Sequence, residues 1–193
     1  MDQVALLGRA IDEVTRLVDG LTDDQLGVQT PCAEWKVRDL LNHLTGGATM
    51  FAISAETGDV PDDLMASLMT EDQLGDDYKQ AWKAASTRAT AAFSKPGIME
   101  QTVKLPFGEM PAGVAATIAV FDVTTHACDL AQATGRQVQD AELVDTALAA
   151  GKQMIGPDMR VPGMFGPEVP CDESSSSVDK LLAFAGRQPQ ATA

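Results

Sequence analysis

Apolar side chains recur every three or four residues along several long stretches of this chain, a period that belongs to helices with one buried face rather than to strands. Residues 3 to 19 carry Val4, Leu6, Leu7, Ile11, Val14, Leu17 and Val18 on such a stripe, and Gly20 ends it. The same spacing predicts a second helix from Val37 to Glu56, although Gly46 and Gly47 weaken its middle. A third runs from Asp76 to Phe93 on Tyr78, Trp82, Ala85, Ala89 and Phe93, and Lys95-Pro96-Gly97 stops it. A fourth spans Ala112 to Thr134 with Gly135 as its C-terminal cap, and a fifth, capped by Asp140, reaches Ile155. Hydrophobic residues make up 45% of the chain but aromatics only 5%, and abundant Ala, Leu and Met favour helices over strands. The expected fold class is all-α, a bundle.

The stretches between these helices are less regular. LTDDQLGVQTPCAEW reads as a connection with one short turn around Asp23 to Leu26. TGDVPDDLMASLMTEDQLGDD is acidic and weakly periodic; it reads as a solvated connection with helical turns at most, placed to cover a site as a lid. MEQTVKL alternates and predicts a short strand, followed by turn residues in PFGEMPAG. After GPDMRVPGMFGPEVP, dense in Gly and Pro, a short last helix from Val178 to Ala185 follows the serine run 174 to 177. A length of 193 residues suits one domain, 1–193, with 156–193 as an irregular arm ending in that helix.

A formal net charge of −14 disfavours phosphate backbones and anionic lipid, so neither nucleic acid nor a membrane is an expected partner. The N-terminal segment places charges within its first amphipathic helix, which predicts no signal peptide and a cytoplasmic location. Cys32, Cys128 and Cys171 are odd in number, widely spaced and form no CxxC pair, so reduced thiols are expected. No GxSxG occurs, and FGEMPAG lacks the spacing of a phosphate loop.

The chemistry concentrates on the only two histidines. Each lies inside a predicted helix with an aspartate four residues before it, Asp39 before His43 and Asp122 before His126, and such pairs share a helix face. Helical bundles build metal sites from a carboxylate and an imidazole of one helix with ligands from a facing helix. His43, Asp122 and His126 are therefore candidate ligands of one divalent ion, with zinc first and nickel, manganese or iron also compatible with two imidazoles and a carboxylate. Three protein ligands leave positions open for water or substrate. Asp129, three residues past His126 on the same face, is a rival for the third place, and spacing does not rank the two. Asp39 reads equally as an acceptor that orients His43 or as an exposed acid. The plainer alternative makes both histidines partners in ordinary helix ion pairs. Cys128, two positions from His126, points away from it and reads as a buried thiol; Trp35 and Trp82 read as core or staple residues rather than substrate platforms. Cys32, in the loop before Trp35, is within reach of the site only if that loop folds over it.

TPCAEWKVRDLLNHLTGG resembles the segment that opens the metal-binding helix of the DinB-like superfamily, in the actinobacterial branch similar to the N-terminal domain of mycothiol-dependent maleylpyruvate isomerase. THACDLAQATGR resembles the second metal motif of that branch, and PGMFGPEVP and LLAFAGRQP resemble the ends of its short members. The resemblance implies a DinB-like four-helix bundle with His43 and His126 on the metal and Asp122 where the isomerase has a glutamate. Cys128 stands where many relatives have tryptophan. It further implies mycothiol or another low-molecular-weight thiol as cosubstrate and a transferase or isomerase acting on a small electrophile, with a non-catalytic metal or small-ligand binder as the alternative. A homodimer is compatible with either.

Overall fold

The computed structural model describes residues 2–32, 35–160 and 165–188. Seven α-helices and one hairpin follow in order: α1 Gln3–Asp19, α2 Val37–Thr57, α3 Asp62–Thr70, α4 Tyr78–Phe93, β1 Thr102–Leu105, β2 Gly108–Pro111, α5 Ala112–Ala133, α6 Ala141–Met154 and α7 Ser177–Phe184. Short 3-10 turns lie at Asp23–Gly27, Ile98–Glu100 and Pro157–Met159. The five long helices and the last short one stand where the apolar period predicts them. The arm is irregular from 165 to 176; residues 161–164 and 189–193, which carry parts of PGMFGPEVP and LLAFAGRQP, lie outside the described residues.

Helices α1, α2, α4 and α5 pack in a ring, α1 against α4 and α5, and α2 against the same two. Their inward stripes merge into one core containing Leu17, Leu40, Leu41, Leu44, Trp82, Phe93 and Leu130. Trp82 is buried there, as the period implies, and its indole N–H donates to Thr15 Oγ1 at 2.9 Å. A second apolar cluster joins α5 to α6 and α7 through Phe121, Cys128, Val144, Leu148, Leu181 and Phe184. Cys128 is thus a buried thiol facing away from the histidines, and burial pushes its pKa well up. Helix α5 is long and apolar enough to cross a membrane, but 78% of that stretch is buried within the fold, as in a core helix.

Two segments depart from the sequence reading. The acidic stretch expected as a solvated connection contains α3, which buries only Leu68 and so leaves little periodic signal. Asn42 of α2 secures its exit, donating to the Glu71 carbonyl at 2.9 Å and accepting from the Gln73 N–H at 2.7 Å. The turn expected after the strand continues as a second one: β1 and β2 pair antiparallel from Thr102–Pro111 to Leu105–Gly108 around Pro106-Phe107. Ser54 donates to the Lys104 carbonyl and the Lys104 N–H to the Gly58 carbonyl, fixing the hairpin on the end of α2.

Helix α2 runs unbroken through Gly46 and Gly47. A Cβ at Gly46 would collide with the Leu68 carbonyl, so this glycine is what lets α3 lie against α2. Gly46→Ala is expected to destabilise the protein by about 1–3 kcal/mol, as overpacking against rigid backbone does, despite its gain in helix propensity. A urea midpoint equal to or above that of the parent would refute this account.

Candidate metal centre

Four elements meet at one end of the α2–α5 contact. Helix α2 brings His43, and one face of α5 brings Asp122, His126 and Asp129 at positions i, i+4 and i+7. The loop before α2 brings Cys32 and Trp35, and the chain just after α7 brings Arg187. Asp39 does not join them. It is exposed and accepts the Lys36 N–H at 2.9 Å, capping the first turn of α2, so its place four residues before His43 reflects helix capping and not orientation of the imidazole.

Asp122 Oδ1 lies 3.4 Å from His43 Nε2 and 3.5 Å from His126 Nε2, and the three atoms are all within 4.8 Å of one another. These separations are long for direct hydrogen bonds. They match the edges of a tetrahedron around an ion with ligands near 2.0–2.1 Å, for which neighbouring donors stand about 3.4 Å apart. The residues therefore fit a divalent ion on their Nε2 and Oδ1 atoms. Asp129 takes the other side of the same ring: its Oδ2 is 3.0 Å from His126 Nδ1. That contact favours a proton on Nδ1 and leaves the Nε2 lone pair directed at Asp122 and His43, the usual role of a carboxylate behind a ligating histidine.

Asp129 is fully buried, and Arg187 reaches it from the end of α7, with Nη2 at 3.2 Å from Oδ2 and Nε at 3.3 Å from Oδ1. Arg187 also donates to the Ala185 carbonyl at 2.8 Å and lies 3.6 Å from Cys32 Sγ. Cys32, His126 and Asp129 form a second group with metal-ligating atoms close together. A guanidinium already occupies the cation's place beside Cys32 and Asp129, so the first group is the better cation site. Burial pushes the Cys32 thiol up to about 11 even with Arg187 nearby.

Burial opposes the charged forms of both His43 and Asp122, yet their mutual attraction prevails: His43 is raised, and Asp122, flanked by two imidazoles, is held down at about 2. Trp35 packs over both rings, its centroid 4.8 Å from that of His43 and 5.6 Å from that of His126. It is a wall of the site as well as an apolar side chain, a role its position in the sequence does not reveal. Arg187 is the other residue at the candidate site that sequence reasoning missed. It lies far along the chain from every partner, and only its place inside LLAFAGRQP marked that segment at all.

Two cavities open beside His43. One, of about 600 Å³, has His43 and Asp122 at its polar end and is otherwise lined by apolar side chains of α2, α3, α5, the hairpin turn and the arm, with Met50, Met65, Phe107, Phe121 and Phe165 among them. The other, also bordered by His43, is a polar groove between Trp35, Arg38, Asp39 and Asn42 of α2 and its approach and Thr70, Glu71 and Asp72 at the end of α3 and just beyond it.

A family model of the mycothiol maleylpyruvate isomerase N-terminal domain matches residues 7–131. Two uncharacterized proteins of Mycobacterium tuberculosis, Rv0738 and MT0763, are each 38% identical over 193 residues, covering 97% of this chain and 98% of theirs. Among solved structures, mycothiol-dependent maleylpyruvate isomerase superposes with a TM-score of 0.58 at 14% identity, and a histidine-to-alanine variant of it with 0.61 at 15%. Each superposition covers 77% of this chain and 65% of that one, so the fold is shared while about a third of the isomerase has no counterpart in the alignment. The chain belongs to the mycothiol maleylpyruvate isomerase N-terminal domain family.

Proposed function

We propose that this protein holds one divalent metal ion, zinc by preference, on His43, Asp122 and His126, and uses it with a low-molecular-weight thiol such as mycothiol in a transfer or isomerisation reaction on an electrophile. The observation that supports this best is the convergence of two imidazole Nε2 atoms on one carboxylate oxygen, with His43 and Asp122 of that group forming the polar end of an apolar cavity. The family's name, which couples mycothiol to an isomerase, agrees with it. A divalent ion there supplies Lewis acidity that lowers the pKa of a coordinated thiol, so that the nucleophilic thiolate is available near neutral pH.

The chain's own residues do the rest. Asp129, backed by Arg187, fixes the tautomer and orientation of His126. Trp35 limits rotation of both imidazoles. Arg38 and Asn42 line the groove that receives the polar body of the thiol, and the apolar cavity keeps water from the reacting carbon. In the transfer reaction the sulfur's electron pair forms the S–C bond as the C–X pair departs with X as an anion, and the thiol's proton passes to solvent.

Protein purified without an affinity tag is expected to carry one ion per chain. Cobalt-substituted protein is expected to gain a near-ultraviolet charge-transfer band when mycothiol is added, since sulfur must coordinate for that band to appear. Failure of every thiol to perturb a fully loaded cobalt site would favour a metal-dependent binding protein over a transferase. The choice of carboxylate has its own test. Asp122→Ala is expected to weaken metal binding on the order of a hundredfold or more, and Asp129→Ala by about tenfold, the range for a group that only supports a ligand. The reverse order, measured by competition with a chromophoric chelator, would make Asp129 the ligand.

A further inference from the structure

The chemistry of the larger cavity points to the class of molecule that reacts there. Asp122 and His43 are the only ionisable side chains among the described residues that line it, and both are occupied with each other in the proposed centre. No lysine or arginine among the described residues lines it, so the one cation open to an anion there is the ion of the proposed centre, already balanced in part by Asp122, and an anionic group seated along the apolar wall would be desolvated with nothing to offset it. Among the described residues, Met50, Met65, Met69, Met110, Met154 and Met159 line the wall. Unbranched thioether side chains adapt to irregular apolar shapes and favour aromatic partners. At the rim, Met69, Phe107 and Val114 are 47%, 53% and 45% exposed, three of the few large apolar side chains left in solvent among the described residues. A volume of about 600 Å³ is that of a site for a whole organic molecule, well beyond what a short acid would fill.

We infer that the electrophile is an uncharged, predominantly apolar molecule, aryl or long-chain alkyl, seated in the methionine-lined cavity with its reacting end toward His43 and Asp122. This rests on the proposed metal centre for the direction of the reacting end; the apolar character of the occupant stands on the cavity alone. A small polyanionic acid is the wrong occupant by charge and by size.

Gly47 supplies the test. It lines the cavity four residues after His43, and a Cβ built on it meets nothing within 4 Å, so a larger side chain there starts in open space and takes up volume of the cavity. N-Phenyl-1-naphthylamine, an uncharged apolar fluorophore, is expected to bind the full-length, metal-loaded protein with one-to-one stoichiometry. Gly47→Leu is expected to weaken that binding at least tenfold with helix content retained by circular dichroism. Val114→Lys, at the exposed rim, is expected to weaken it several-fold, and maleate is expected neither to bind nor to displace the fluorophore. No fluorophore binding to the parent protein, equal binding to Gly47→Leu, or displacement by maleate would each overturn the inference. Loss of binding on self-association, seen by sedimentation velocity, would also overturn it by making a second copy of the chain the occupant of the cavity. Metal content is measured on the same samples: binding that persists in metal-free protein and is lost in Gly47→Leu upholds the cavity assignment even if the metal centre fails.

Discussion

His126→Ala and His43→Ala are each expected to lower divalent-metal affinity on the order of a hundredfold or more, to the point where purified protein retains little ion. Metal-binding free energies of about 10–16 kcal/mol for four-ligand structural zinc imply about 3 kcal/mol per ligand, and each 1.4 kcal/mol is tenfold. The two variants differ in what else they disturb. His43 is partly exposed at the junction of the two cavities, so its removal leaves the core untouched. His126 is nearly buried, and its loss leaves a small void beneath Trp35 while Asp129 keeps its pairing with Arg187. Both variants are therefore expected to fold, His126→Ala with somewhat lower stability. Elemental analysis of dialysed protein decides the matter. Unchanged stoichiometry in both variants would remove the metal centre and leave the histidines as a buried aspartate-bridged pair.

The sequence carried the long helices because each buries a continuous stripe, and a stripe is visible as spacing. It carried α3 and the second strand poorly because neither buries much: α3 contributes Leu68, and β2 exposes most of its residues, so there was little period to read. Gly46 looked like a weakness in α2 when considered alone. Its reason lies in Leu68, more than twenty residues on, a contact with no trace in local spacing. The site divides in the same way. His43, Asp122 and His126 were legible from residue type, spacing and family resemblance, and the structure brings their ligating atoms together. Spacing could not separate Asp122 from Asp129, since both lie on the face of His126. Side-chain direction does separate them, one at Nε2 and the other at Nδ1. Asp39 was misleading for a related reason: an acid in the first turn of a helix has a capping role that produces the same spacing by itself.

The largest effect on stability is expected from Asp129→Ala. Asp129 is fully buried, and among the described residues its carboxylate is the only one in salt-bridge contact with the Arg187 guanidinium, which is itself only 11% exposed. Burial lowers the guanidinium's proton affinity and Asp129 more than restores it, so Arg187 stays charged in the folded protein. Removing the carboxylate strands that charge with the Ala185 carbonyl as its remaining close acceptor. Breaking one side of a buried pair costs about 3–5 kcal/mol, which for a chain of this length corresponds to a fall in Tm of roughly 6–20 °C. Asp129→Asn keeps an acceptor for both Arg187 and His126 and is expected to lose less. Arg187→Met combined with Asp129→Ala is expected to recover part of the loss, because the double variant no longer buries an unpaired charge. Thermal unfolding of metal-free protein is the measurement, which keeps metal release out of the comparison. If Asp129→Ala and the double variant unfold at the same temperature, Arg187 is not stranded by loss of the carboxylate, and it would then be held by its backbone acceptor rather than by the carboxylate that orients His126.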